Sequence, residues 1–374
     1  MTNLRQPVET AKKYVRELIL PSQPLAPKWN AENVIFRKNP KWNYIDNCMM
    51  TALLMLYEST GNKELLAYTE RFIRAYMDGE GNIPTLVFSD YNLDNINGGK
   101  NLIKLYQLTG NEAYLSAAEK LVSGQLDKQP RLDCGNFWHK AIYPRQIWLD
   151  GTYMAFPFMA GCSALKDEPK YLDDVCMQLK NIRDIMRDKD SGLYHHGYDE
   201  TRSMCWADPD TGLSDEFWLR SMGWLCAALA DLSEMFPEKK LFSDMLGDLL
   251  TALMRTANDD GTLMQLPARP ELSGNYPETS GTLLFAYSAL KSFRLGICGS
   301  SIGLAGEKAL SAVSEKFISH DSSGVPVLRN ICLMAGLGSG RDGSAEYYLS
   351  EKIVENDAKG IAPFLMACNE LIRR

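Results

Sequence analysis

The chain has 374 residues, of which 45% are hydrophobic, and its 40 basic and 47 acidic residues give a formal net charge of −7. This length and apolar fraction allow a large core, whereas the negative charge argues against non-specific binding to nucleic acids. No run of about 18 apolar residues that would cross a membrane occurs, and the first twenty residues lack the apolar core of a signal peptide. The nine cysteines are scattered without a Cys-x-x-Cys pair, so reduced thiols and a cytoplasmic protein are expected.

Helix-period patterns recur in pairs along the whole chain. The first members lie near 8–20, 62–77, 111–127, 169–188, 239–257 and 303–318. The second members are richer in small and apolar residues, as expected of more buried helices, and lie near 45–60, 94–109, 150–165, 217–235, 280–295 and 357–372. Six such hairpins predict an all-α (α/α)6 barrel that forms a single domain over residues 1–374. An open solenoid of helical hairpins is the alternative.

The turns between these helices support the repeat. Tyr57-Glu58-Ser59-Thr60-Gly61-Asn62 returns as Tyr106-Gln107-Leu108-Thr109-Gly110-Asn111. In both copies an apolar helical run ends at glycine, the residue that most often follows a helix C-terminus, and a new helix follows at once. Clusters of Asp and Gly near 78–82, 190–193, 259–262 and 321–324 predict further turns or short hairpins.

The segments that precede the more buried helices are rich in aromatic and charged residues. In a closed barrel these helices all begin at the same mouth, where their N-termini favour an anionic ligand. We therefore expect an aromatic-walled cleft that is selective for a negatively charged sugar. The segments are Trp42–Tyr44, Asn92–Asn95, Trp148–Asp150, Glu216–Arg220, Tyr276–Thr279 and Arg341–Gly343.

Asp150 is the most informative of these residues, because it lies between Trp148 and a long apolar helical run. Aromatic faces bind sugar rings, and a partly dry carboxyl group can keep its proton and act as an acid. Simpler readings remain open at this point. Asp94 and Asp150 would cap helices, Arg220 would pair with Glu216 or Asp215, and the tryptophans would be core residues.

The sequence gives no sign of a metal or nucleotide cofactor. The four histidines are too few and too poorly spaced for a zinc site, and His195 and His196 are adjacent. No glycine-rich nucleotide-binding loop, Gly-x-Ser-x-Gly or His-Glu-x-x-His pattern occurs.

A set of motifs from about Trp42 to the C-terminus resembles glycoside hydrolase family 105, the unsaturated rhamnogalacturonyl hydrolases. The motifs are Asn92-Leu93-Asp94, Gly135-Asn136-Phe137-Trp138-His139-Lys140, Tyr143-Pro144, Trp148-Leu149-Asp150-Gly151, His196-Gly197-Tyr198-Asp199-Glu200, Trp206-Ala207-Asp208, Glu216-Phe217-Trp218, Arg220, Gly223-Trp224, Tyr276-Pro277-Glu278-Thr279 and Arg341-Asp342-Gly343. The resemblance implies an (α/α)6 barrel, in agreement with the helix count.

The resemblance also implies an unusual reaction on an oligosaccharide substrate. The substrate carries a 4,5-unsaturated uronic acid at its non-reducing end, which a polysaccharide lyase leaves behind. An acid protonates C4, water adds at C5, and the resulting hemiketal opens and releases the remaining sugar. A nucleophile at the anomeric carbon is not needed, so the usual two-carboxylate geometries do not apply.

Residue roles follow from the same resemblance. Asp150 matches the acid/base, which needs a raised pKa from burial or a neighbouring carboxylate, and Asp94 matches the second carboxylate. Arg220 is expected to pair with the uronate carboxylate. The positions that match substrate-contacting residues are Tyr44, His139, Trp148, Met154, His196, Arg220 and Trp224.

The sequence departs from the family pattern at Tyr198 and Met222, where relatives frequently carry Trp and Asn, and the leaving sugar stays open for this reason. The alternatives to a rhamnogalacturonyl hydrolase are an unsaturated glucuronyl hydrolase and a barrel that only binds sugar. No metal, nucleic acid or membrane partner is expected.

Overall fold

The computed structural model describes residues 4–374 and is mainly helical. A π-helical turn at Val15–Ile19 extends the first helix. The α-helices of this part of the chain are α1 (Arg5–Tyr14), α2 (Ala31–Phe36), α3 (Tyr44–Thr60), α4 (Lys63–Arg74), α5 (Leu93–Ile96), α6 (Gly99–Thr109), α7 (Glu112–Gly124), α8 (Gly151–Lys166), α9 (Lys170–Met186), α10 (Leu219–Met235), α11 (Lys240–Arg255), α12 (Thr279–Arg294), α13 (Ser300–Lys316), α14 (Ala345–Ser350) and α15 (Ala358–Ile372).

Six of these helices form a closed inner ring. In the order α3, α6, α8, α10, α12 and α15, each packs against the next, and α15 packs against α3. The outer helices α4, α7, α9, α11 and α13 each follow an inner helix and pack against it, whereas α1 packs against α15. The predicted (α/α)6 barrel is therefore confirmed, and the closed ring excludes the open solenoid.

Burial explains why the inner helix α8 is apolar on every side. Each residue of α8 from Gly151 to Ser163 is buried. The outer helix α4 instead buries one stripe that contains Leu65, Tyr68 and Phe72, as an amphipathic surface helix does. Pro157 lies inside α8 and has no N–H to donate to the carbonyl of Tyr153, which lies four residues before it. The side chain of Asn97 donates to this carbonyl instead, at 3.3 Å.

The repeated turns have the predicted geometry. Gly61 and Gly110 each have φ of +68° and donate backbone hydrogen bonds to Tyr57 and Tyr106 at 2.8 Å. The asparagine that follows each glycine, as at Asn62, caps the next helix through its side chain.

Short antiparallel strand pairs join the helices at one end of the barrel. β1 (Gln146–Trp148) pairs with β2 (Gly197–Asp199), β3 (Ile318–His320) with β4 (Pro326–Leu328), and β5 (Ile331–Cys332) with β6 (Ile353–Val354). The first pair places Trp148 opposite Gly197 and thereby brings the segment before α8 next to His196.

All nine cysteines carry free thiols, as predicted. Within residues 4–374, no helix is long and apolar enough to span a membrane.

Candidate active site

A cavity of about 250 Å³ opens where the inner helices begin. Asn43, Glu278 and Asp357 cap α3, α12 and α15 at this end through side-chain oxygens, so these polar groups are structural. We call the cavity the cleft. Its lining includes Tyr44, Asp94, His139, Lys140, Tyr143, Trp148, Asp150, Met154, Gly336 and Arg341.

Asp150 precedes the first residue of α8, but its side chain makes no capping hydrogen bond. Instead, Oδ2 lies 3.1 Å from Nε2 of His196, and the carboxylate is 16% exposed. Neither of these two atoms has a well-aligned hydrogen-bond partner within residues 4–374, so Nε2 and the carboxylate oxygen interact through their short separation rather than through an ideal hydrogen bond. The simple helix-cap interpretation of Asp150 is therefore wrong, and its carboxylate is available to a ligand.

His196 is fully buried behind Asp150, and its orientation is held by Tyr348. The hydroxyl of Tyr348 lies 2.7 Å from Nδ1 of His196. Burial raises the pKa of Tyr348 well above its usual value, so this hydroxyl keeps its proton and donates. When Nδ1 accepts from Tyr348, the ring proton of neutral His196 resides on Nε2, which faces Asp150.

The pKa of Asp150 shifts in the direction opposite to the sequence-based expectation. Burial alone raises the pKa of this carboxyl, but His196, His139 and Arg220 together outweigh burial and hold the pKa below its usual value. Asp94 is not among the main causes of the shift. The expectation of a raised pKa is therefore wrong, because the two histidines and Arg220 outweigh the effect of burial on this carboxyl.

Asp94 is also not a helix cap, because Asn92 accepts the hydrogen bond from its backbone N–H at 3.0 Å. The carboxylate of Asp94 instead contacts Nζ of Lys140 at 2.7 Å, and Nε2 of His139 lies 3.8 Å away. Burial lowers the pKa of His139 to about 4, so its ring is neutral near pH 7. Asp94 and Lys140 thus form an ion pair on the wall of the cleft.

Trp148 is among the residues that line the cleft, and its ring is stacked with two protein rings. His139 stacks on its ring at a centroid distance of 4.8 Å, and Tyr143 stacks on it at 4.4 Å. The indole N–H donates to the side chain of Gln146 at 3.0 Å, which fixes the plane of the ring. Trp148 is 6% exposed, so most of its ring is covered by protein groups and little of its face is free for a sugar ring to stack on.

Arg220 lies in the first turn of α10 and is buried, outside the residues that line the cleft. Its guanidinium donates to the carbonyl of Cys332 and to Oγ of Ser280, and it lies over the ring of Trp218. The alternative pairing with Glu216 is wrong, because Glu216 pairs with Arg269 at 3.1 Å. Arg220 therefore acts on Asp150 through its charge in the ligand-free protein.

The remaining predicted residues divide between the cleft and the core. Tyr44 and Met154 line the cleft. Trp224 is 1% exposed and stacks on Tyr153 at 4.9 Å, within the core. Met222 is also buried, and its sulfur accepts from the backbone N–H of Tyr194.

Several residues of the site escaped the sequence-based site prediction. Lys140 and Tyr143 belong to motifs that were recognised, but their side chains were given no role. Tyr348 carries no sequence signal, because it reaches His196 across 152 positions of the chain. Arg341 lines the cleft beside Trp148. Its guanidinium packs closely against the backbone of Gly336, because a Cβ at this glycine would lie 2.9 Å from Nη1 of Arg341.

A concave cleft at the mouth of an (α/α)6 barrel, with two carboxylates, a buried histidine and aromatic residues in and behind its wall, has the features of an enzyme active site. The model of Glycosyl Hydrolase Family 88 matches residues 24–374, and the chain belongs to this family. A glycoside hydrolase from family 105 of C. acetobutylicum has 33% identity, covers 99% of both chains and superposes with a TM-score of 0.87. This similarity also confirms the resemblance to family 105, so the protein is a glycoside hydrolase.

Three further relatives extend this comparison. The unsaturated rhamnogalacturonyl hydrolase YesR of Bacillus subtilis is 25% identical over 305 residues, which are 79% of this chain and 83% of YesR. Protein Atu3128 of Agrobacterium fabrum is 35% identical over 228 residues, which are 58% of this chain and 97% of that protein. The unsaturated glucuronyl hydrolase of Bacillus sp. GL1 is 13% identical to this chain and superposes on it with a TM-score of 0.70. The superposition covers 98% of this chain and 95% of that protein, and it shows a shared fold.

Proposed function

We propose that the protein releases the 4,5-unsaturated uronic acid from the non-reducing end of lyase-generated rhamnogalacturonan oligosaccharides. The observation that carries this proposal is the free carboxylate of Asp150 in the cleft, held 3.1 Å from Nε2 of the buried His196. The similarity to YesR supports the rhamnogalacturonan substrate.

In the proposed reaction, protonated Asp150 donates its proton to C4 of the vinyl ether. Its carboxylate then accepts a proton from water as the water oxygen bonds to C5. The product is a hemiketal at C5, and its opening breaks the bond from C5 to the ring oxygen, which leaves a ketone at C5 and a hemiacetal at C1. The hemiacetal then collapses to an aldehyde as the bond from C1 to the oxygen of the remaining sugar breaks, and that oxygen takes up a proton. One residue thus serves first as the acid and then as the base.

The low pKa of Asp150 in the ligand-free protein is compatible with this role because the substrate is an anion. A uronate carboxylate beside Asp150 adds a negative charge and displaces water, and both effects raise the pKa of the aspartic acid. His196, with its proton on Nε2, stabilises the carboxylate that remains after proton donation. The enzyme therefore gains its protonated acid when the substrate binds.

We assign the other residues to binding and orientation. Trp148 and Met154 border the space for the unsaturated ring, and Tyr44 and the Asp94–Lys140 pair offer polar groups to its hydroxyls. His139 supports the plane of Trp148. Arg220 contributes long-range positive charge, and Trp224 supports α8 through Tyr153.

Asp150→Asn tests the proposal, because the amide keeps the size of the side chain and removes its proton transfer. We expect the variant to bind an unsaturated galacturonyl-rhamnose disaccharide while its turnover falls by at least about 100-fold, the range for losing an acid/base group. Turnover is followed as the loss of ultraviolet absorbance when the conjugated double bond is consumed. The proposal fails if wild-type protein leaves this absorbance unchanged on both galacturonyl and glucuronyl substrates.

A further inference from the structure

Arg341 lines the cleft but takes no part in the proton transfers proposed above. It ends a tight turn, in which its backbone N–H donates to the carbonyl of Gly338 at 2.9 Å and its carbonyl accepts from the N–H of Gly338 at 3.2 Å. Ser339 and Gly340, between these two residues, are exposed, whereas Arg341 is half-buried. The turn therefore lies at the rim of the cleft, and the side chain of Arg341 extends from it into the lining.

The guanidinium of Arg341 has unused hydrogen-bond donors. Its Nη2 lies 3.7 Å from Sδ of Met334, which is a weak acceptor. Nε and Nη1 have no partner within residues 4–374, and neither atom is among the buried unpartnered groups of this part of the chain, so both keep contact with solvent. The neighbouring carboxylate of Asp342 is engaged elsewhere, because its Oδ1 accepts from the N–H and the hydroxyl of Ser344 at 3.0 and 2.7 Å. Two donors of a permanent cation are thus available to a ligand in the cleft.

Most of the other charges that line the cleft are paired. Lys38 contacts Glu32 at 3.1 Å, and Lys140 contacts Asp94 at 2.7 Å, so these two pairs cancel. The lining holds the cations Lys38, Lys41, Lys140 and Arg341 and the anions Glu32, Asp94 and Asp150. In the proposed reaction Asp150 is protonated when the substrate is bound. Two positive charges, those of Lys41 and Arg341, then remain for the substrate.

The carboxylate of the unsaturated ring lies closer to another cation. This carboxylate is attached to C5, next to the C4 atom that Asp150 protonates, so it must lie near Asp150. The charge of Arg220 is among the main causes that lower the pKa of Asp150, whereas the charges of Arg341 and Lys41 are not. Because Coulomb interactions weaken with distance and with exposure to solvent, Arg341 and Lys41 act less on this position than Arg220 does. They are therefore better placed for the part of the substrate that leaves.

The size of the cleft supports this division. Its volume of about 250 Å³ lies below the range of about 300–1,000 Å³ that is typical of pockets that enclose a whole small molecule. The cleft can thus enclose the terminal ring, and the rest of the oligosaccharide must extend along the rim. Lys41 is exposed there, and the turn that carries Arg341 lies there as well.

We propose that Arg341, assisted by Lys41, forms a subsite for a second uronate carboxylate in the leaving part of the substrate. This inference rests on the proposed hydrolase function. Uronic acid and rhamnose alternate in a rhamnogalacturonan backbone, so the second carboxylate belongs to the residue beyond rhamnose. A guanidinium with two free donors can hold such a carboxylate in a forked geometry. The preferred substrate is then a trisaccharide or a longer acidic oligosaccharide rather than the disaccharide.

Two unsaturated trisaccharides of equal length test this subsite. One ends in galacturonic acid, and in the other this acid is replaced by galactose, which lacks the carboxylate. The kcat/KM of each is measured from the loss of ultraviolet absorbance. We expect wild-type protein to prefer the acidic trisaccharide at least about fivefold and mainly through KM, since a forked arginine–carboxylate pair is stronger than an ordinary surface ion pair.

Arg341→Met should bring the ratio of the two kcat/KM values close to one, and Arg341→Lys, which keeps the charge, should retain part of the preference. Arg255→Met is the matched control, because Arg255 is an exposed arginine of the outer helix α11 that does not line the cleft, and it should keep the wild-type ratio. Lys41→Met alters an exposed side chain, so it keeps the fold, and it should lower the ratio at least about twofold. Both kcat/KM values come from one sample, so a loss of folded protein cancels in the ratio.

The outcomes separate the subsite from the hydrolase function. A wild-type ratio near one with both trisaccharides turned over, or a wild-type preference that Arg341→Met retains, overturns the subsite and leaves the proposed function intact. Loss of both substrates by the same factor in Arg341→Met would place Arg341 at the unsaturated ring and also overturns the subsite. Absence of turnover of either trisaccharide by wild-type protein overturns the proposed function, and the subsite with it.

Discussion

The contact between Tyr348 and His196 leads to a sharp prediction about the acid. Tyr348→Phe removes the hydroxyl that lies 2.7 Å from Nδ1 of His196 and leaves the ring volume unchanged. His196 is 0% exposed, so no water replaces the lost donor. The free Nδ1 can then take the ring proton from Nε2, which would turn a lone pair of the imidazole toward the carboxylate of Asp150.

The magnitude follows from the cost of an unsatisfied buried group, about 1–3 kcal/mol. We expect the free energy of unfolding to fall by this amount. His196 also stabilises the carboxylate of Asp150 after proton donation. If about 1–2 kcal/mol of this stabilisation is lost from the transition state, kcat decreases about 5- to 30-fold, since 1.36 kcal/mol is a factor of ten in rate. Loss of the Nε2–H also removes the main cause that lowers the pKa of Asp150, so the alkaline limb of kcat/KM moves to higher pH.

The assay is the loss of ultraviolet absorbance of an unsaturated disaccharide across pH 4–9, combined with urea unfolding. Tyr76→Phe is the matched control, because the Tyr76 hydroxyl is also buried and donates to the carbonyl of Pro24 at 3.0 Å, far from the cleft. Both variants should lose similar stability, but only Tyr348→Phe should lose kcat. Equal kcat values and equal pH profiles for the two variants would refute the role of Tyr348 as a positioning residue.

Two further predictions concern stability. Burial alone raises the pKa of Glu234, but the positive charges of Lys291, Arg294 and Arg373 outweigh burial and hold this pKa at about 2. The Glu234 carboxylate therefore stabilises the folded state at any pH above the pKa that this group has in the unfolded chain. This stabilisation is lost as the pH falls toward 2. Glu234→Gln should therefore destabilise the protein at pH 7 and cost less than half as much at pH 3 in urea unfolding; an equal loss at both pH values contradicts the ion-pair explanation. Gly99→Ala should cost about 1–3 kcal/mol, because its Cβ would lie 2.5 Å from the ring of Phe158. Gly79→Ala, where a Cβ meets nothing within 4 Å, should be nearly neutral, and similar losses for the two variants would contradict the packing argument.

The helices were predictable because they depend on local patterns. The predicted segment 150–165 corresponds to α8 at Gly151–Lys166, and the segment 357–372 corresponds to α15 at Ala358–Ile372. Glycine turns such as Gly61 and the apolar composition of the inner segments are visible without any long-range contact. The pairing of α1 with α15, by contrast, joins the two ends of the chain and has no local signal.

The site was predicted in part for the same reason. Asp94, Trp148 and Asp150 were found because each lies near the start of an inner helix, and in the structure all three line the cleft. The direction of the pKa shift of Asp150 was wrong, since it depends on the charges of His196, His139 and Arg220, which come from other parts of the chain. The sequence-based expectation counted the burial of Asp150 and a neighbouring carboxylate, and it left out the effect of the two histidines and Arg220 on the pKa of Asp150.

The sequence by itself determined the six helical hairpins of the barrel, the inner and outer places of their helices and the segments that meet at one mouth, because periodicity and turn residues act over a few positions. It did not predict the short helices α2, α5 and α14. Only the tertiary structure decided that the Asp150 side chain does not cap α8 and faces His196, and that Tyr348 sets the orientation of that histidine. These properties arise from distances and burial between residues far apart in the chain, and electrostatic effects depend on those distances rather than on sequence order.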